Sequence, residues 1–77
     1  MNNTRRKALE EISGKVEDLK ADLESLRDEE QEYLDNMPES LQSSEKANNA
    51  ENAISYLDDA INSLEEVTGH IEEATTL

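Results

Sequence analysis

The chain has 77 residues, a net charge of −13, no cysteine and 3% aromatic residues. That length makes one small domain, and without thiols the chain has neither disulfides nor thiolate metal sites to reinforce a core, so nothing points to an oxidising compartment. So strong a negative charge repels phosphates over most of the molecule, which excludes direct nucleic-acid binding and an anionic membrane surface and favours cationic partners.

Asn2, Asn3 and Thr4 supply cap residues for a first helix over 4–35, roughly 50 Å long at the standard rise. Its apolar residues, Leu9, Ile12, Val16, Leu19, Leu23 and Leu26, then Tyr33 and Met37, step alternately by three and four positions. That is the seam of a coiled-coil helix. Ser13 and Gly14 are its weak point, and Glu30 sits at a seam position where the pattern calls for an apolar side chain. Arg5, Arg6 and Lys7 stand in the first turn, where cations oppose the positive end of the helix dipole. They read either as a phosphate cradle or as partners of Glu72 and Glu73, which an antiparallel fold brings to the same end.

Asn36, Met37 and Pro38 stop this helix and open a turn over 36–44, within which Asn36 and Glu39 suit a short helical turn through Leu41. Ser43 and Ser44 then cap a second helix over 45–74, its end past Gly69 prone to fray. Gly69 falls on the outer face. The second seam is Ala47, Ala50, Ile54, Leu57, Ile61, Leu64 and Ile71, diluted by Thr68.

Charges beside the seams predict the pairing. One flank of the second helix is wholly acidic, Glu51, Asp58, Glu65 and Glu72, and the matching flank of the first is Ser13, Lys20, Arg27 and Leu34. Folding back at the proline brings Arg27 to Asp58 and Lys20 to Glu65, so the fold class is all-α, an antiparallel two-helix hairpin. The other flank of the second helix, Ala53, Ala60, Val67 and Ala74, widens its apolar face beyond what one partner helix covers. Through this strip the hairpin is expected to self-associate as a homodimer or higher oligomer, closing a four-helix bundle.

Chemistry is sparse. His70 is the only histidine and no nucleophile motif is present, so the chain reads as no enzyme. Adjacent carboxylates such as Glu65 and Glu66 point in different directions, and Glu66 with His70 misses the Glu-x-x-His spacing of bundle metal sites by one residue, so neither a metal nor a cofactor is expected. Tyr56 is the outlier, a large ring facing away from the partner helix, and tyrosine at such a position often anchors an interface.

The segment EEQEYLDNMPESLQSSE over 29–45, preceded by TRRKALEEI near the N-terminus, resembles small acidic uncharacterised helical proteins encoded by phages and mobile elements of Gram-positive bacteria. Tyr33 to Glu39 is its specific part. The resemblance implies a genomic setting in which small non-enzymatic proteins often counter host defences, and no catalytic residue is carried over with it.

The functional expectation is a non-enzymatic protein that binds and blocks a basic host protein, one of defence or nucleic-acid binding. Asp18, Asp22, Asp28, Asp58, Asp59 and Glu66 would steer it and Tyr56 would anchor it. One alternative is an oligomer sequestering a nucleotide-like signal molecule with Arg5, Arg6 and Lys7 as phosphate-binding residues, joined by Tyr33 or Glu30; another is a self-assembling scaffold component. No apolar run is long enough for a signal peptide or a membrane span, which predicts a cytoplasmic location in a bacterial host.

Overall fold

A computed structural model describes residues 1–77 as helix α1, Asn3–Asp35, a single 3₁₀ turn, Glu39–Leu41, and helix α2, Glu45–Thr75. The two helices pack side by side in an antiparallel hairpin measuring 59 × 14 × 12 Å. Capping fixes their ends. Asn2 Oδ1 accepts from the Arg5 amide at 2.8 Å, and Ser44 Oγ accepts from the Ala47 amide at 3.3 Å, each satisfying a first-turn donor that the helix itself leaves free.

At the turn, Asn36 stays in the right-handed helical region and gives its amide to Glu32, so it closes α1 and does not cap the next turn. Pro38 holds that place instead, its carbonyl accepting from the Leu41 amide at 2.8 Å. Neither Ser13-Gly14 nor Gly69 interrupts its helix, and α2 runs on through Gly69 to Thr75. A mid-helix glycine costs about 1 kcal/mol against alanine. Ile71 and Ala74 beyond it are partly buried, so packing holds the last turns in place.

The core is thin: Met37, Ala47, Ala50 and Ile61 are the buried residues, and no large side chain is wholly covered. On α2 both seam rows face α1 as the periodicity predicts. On α1 one seam row is displaced. Leu9, Val16 and Leu23 are half-buried, but Ile12, Leu19, Leu26 and Tyr33 remain 45%, 56%, 54% and 49% exposed, and the row Ser13, Lys20, Arg27, Leu34 takes their place against α2. The rotation has a physical reason, because it lays the aliphatic stems of Lys20 and Arg27 along α2 while their charged tips reach carboxylates at the edge of the groove.

Candidate functional site

Arg27 Nη1 lies 3.0 Å from Asp58 Oδ1, and Lys20 Nζ lies 3.3 Å from Glu65 Oε1, the register that the flanking charges predict. The hydrogen bond to Glu65 raises Lys20 above its usual 10.5, and those to Asp58 and Asp28 raise Arg27 in the same sense. Arg27 Nη2 also stands 3.1 Å from Asp28 Oδ1, so Asp28 and Asp58, two of the expected steering charges, are held internally.

On α2 the carboxylates are sorted by side, whereas those of α1 are spread over several rows. All eight acids of α2 fall in two heptad rows, Glu51, Asp58, Glu65, Glu72 and Glu45, Asp59, Glu66, Glu73, which flank the uncharged row Asn48, Ser55, Asn62, Gly69. The row Glu10, Glu17, Glu24 of α1 lies on the same side, with Glu17 Oε2 3.9 Å from Lys20 Nζ. Asp18 and Asp22 lie on the other side of α1, so the expected steering residues do not form one patch. Sequence reasoning identified the acidic flank as a pairing signal and left Glu10, Glu17, Glu24, Glu45, Glu51, Glu65, Glu72 and Glu73 out of the steering set; reading the rows on both helices together would have found them.

The opposite side carries an apolar strip. Ala53, Ala60 and Ala74 are half-buried there and Val67 is 40% exposed. The displaced row of α1 lies alongside. In the register set by the ion pairs, Ile12 stands level, to within one residue, with Ala74, Leu19 with Val67, Leu26 with Ala60, and Tyr33 with Ala53. Tyr56, 75% exposed, stands on the outer edge of this face, one helical turn from Asp59 on the acidic side.

Where the face reaches the turn, an open groove of 470 Å³ is lined by Tyr33, Met37, Pro38 and Leu41 together with Glu29, Glu32, Asn36 and Lys46. Glu30 is nearby, half-buried and without a cation within 4 Å. At the far end Arg6 Nε donates to the Thr75 carbonyl oxygen at 3.1 Å, while Arg5 and Lys7 are exposed. None of the three pairs with Glu72 or Glu73. Arg5 and Tyr33 are separated by about 40 Å of helix, so one hairpin does not bring the cations to Tyr33 or Glu30.

His70 and Glu66 are both exposed, and no three acidic or histidine side chains converge on a common point. No helix is long and apolar enough to cross a membrane. Comparison with protein-family models, curated proteins and solved structures gives no match.

Proposed function

We propose that the hairpin is a non-enzymatic binding protein whose acidic side occupies a basic site on a host protein, in the phage or mobile-element setting that the 29–45 segment implies. The observation that carries this reading is the sorting of charge on α2. Acids that served solubility alone would be spread around the surface. On α2 all of them occupy the two rows that flank the uncharged row Asn48, Ser55, Asn62, Gly69, and only Asp58 and Glu65 have a cationic partner across the hairpin. Glu45, Glu51, Asp59, Glu66, Glu72 and Glu73 are left to project a negative field along α2, with Glu10, Glu17 and Glu24 extending it onto α1.

A field of this kind accelerates encounter with a basic surface and fixes its orientation, while affinity comes from the contacts made afterwards. Tyr56, at the margin of the acidic side, is the anchor for such contacts. The experiment is capture from the bacterial host with the natural chain and with the triple variant Asp59→Lys, Glu66→Lys, Glu73→Lys, followed by association kinetics with whatever the natural chain retains. The expected result is a basic protein bound by the natural chain and lost by the variant, with an association rate that falls steeply as salt is raised. A salt-insensitive rate, or equal retention by both chains, removes the proposal.

A further inference from the structure

We infer that the apolar side of the hairpin, made by Ile12, Leu19, Leu26 and Tyr33 of α1 with Ala53, Ala60, Val67 and Ala74 of α2, is covered by a second copy of this chain, each α1 lying over the partner copy's α2. This surface is distinct from the acidic side and does not depend on its having a host partner.

Geometry comes first. On an ideal helix the row Ile12 to Tyr33 lies roughly 80° from the line along which α1 meets α2, and the row Ala53 to Ala74 lies about 90° from the line along which α2 meets α1. A quarter turn between two contact lines is what a helix in a square four-helix bundle requires, since each has two neighbours there. Both rows step by seven, so they run straight along the hairpin for about 30 Å and match the left-handed packing of such bundles.

Burial points the same way. Four buried residues in 77 leave the hairpin without the core that a domain of its size needs, while half of α1's own seam is in water. Doubling the chain across this side covers the four large residues of α1 with the partner's α2, where Ile12, Leu26 and Tyr33 meet alanines and Leu19 meets Val67.

Charge selects the occupant. A membrane surface is disfavoured by a net charge of −13. A copy of the chain is not, because the row of α2 that borders the face, Asn49, Tyr56, Ser63 and His70, carries no acid. The bordering row of α1 is Ala8, Lys15, Asp22 and Glu29. Laying α1 over the partner's α2 sets this mixed row beside the uncharged one, and no acid of α2 is brought against another acid. A two-fold axis along the bundle gives that arrangement with every neighbouring pair antiparallel.

The test is sedimentation and thermal melting of the full chain over a wide concentration range. The expected species has twice the 8.7 kDa mass of the chain, and its melting temperature rises with concentration, as mass action requires for a fold completed by association. The double variant Leu19→Glu, Leu26→Glu replaces residues that are over half exposed in the hairpin, and is expected to halve the mass. Ala21→Glu with Asn62→Glu adds the same charge off the face and is expected to keep the doubled mass; should the first variant lose its helices, this control and the concentration dependence of the natural chain decide. A single-chain mass with a concentration-independent melt overturns the inference. So does a doubled mass in Leu19→Glu, Leu26→Glu, or binding of lipid vesicles through this side.

Discussion

Arg6, in the first turn of α1, donates from Nε to the carbonyl oxygen of Thr75, the last residue of α2, at 3.1 Å. The three cations at the start of the chain are unfavourable for the dipole of their own helix, but the antiparallel fold sets them beside the negative end of α2, whose last carbonyls lack intrahelical partners. Arg6→Ala is expected to fray the final turn of α2 and to cost about 1 kcal/mol, the scale of a charge-assisted cap. Amide exchange at Thr75 and Thr76 measures the fraying, and Lys7→Ala, which removes an exposed cation with no partner, is the control.

Lys20 gives a pH dependence with a definite sign. The hydrogen bond to Glu65 holds its pKa above 10.5, so the folded chain binds that proton more tightly than the unfolded one. Its contribution is complete at neutral pH and is lost as pH climbs past 10.5. Lys20→Arg keeps the charge through that range, and its melting temperature should fall less between pH 9 and pH 11.5 than that of the natural chain, by roughly a few degrees. Parallel curves would remove Lys20 as the cause.

Gly14 and Gly69 are both within unbroken helices, and a Cβ added at either meets nothing within 4 Å. Gly14→Ala and Gly69→Ala should each raise stability by about 0.5 to 1 kcal/mol, and the two should add because the sites share no partner. Denaturant unfolding of the single and double variants checks both statements.

The heptad spacing, the proline stop and the opposed charges at Lys20, Arg27, Asp58 and Glu65 made the hairpin and its register legible in the sequence, because each is a local rule that the fold obeys. The rotation of α1 was not. A heptad pattern tells which two rows are apolar, and it assumes that both face one partner; Ile12 and Leu19 look the same in sequence whether they meet α2 or a second neighbour. The clue was present in the Lys20 and Arg27 stems, which are long enough to act as apolar cover once their tips are paired. The extent of the acidic side was missed for a related reason, since Asp18 and Asp59 are alike in one dimension and are separated only when the rows of both helices are laid out together.

Ser13 occupies the row that Lys20 and Arg27 use, one heptad nearer the N-terminus, and in the register of the two ion pairs it stands level with Glu72. Its hydroxyl oxygen is buried and has no hydrogen-bond partner. Ser13→Ala removes that desolvated group and improves helix propensity, so it should raise stability by about 1 kcal/mol. Ser13→Lys should do something different, because a lysine here repeats the pattern of Lys20 and can reach Glu72 with its stem lying along α2. The gain from such a pair is about 0.2 to 1 kcal/mol and must vanish in high salt. The decisive comparison is Ser13→Lys with and without Glu72→Ala: a gain in melting temperature that survives loss of Glu72 would mean that the lysine acts only by lowering the overall negative charge, and that the register of the ion pairs does not extend to this end of the hairpin.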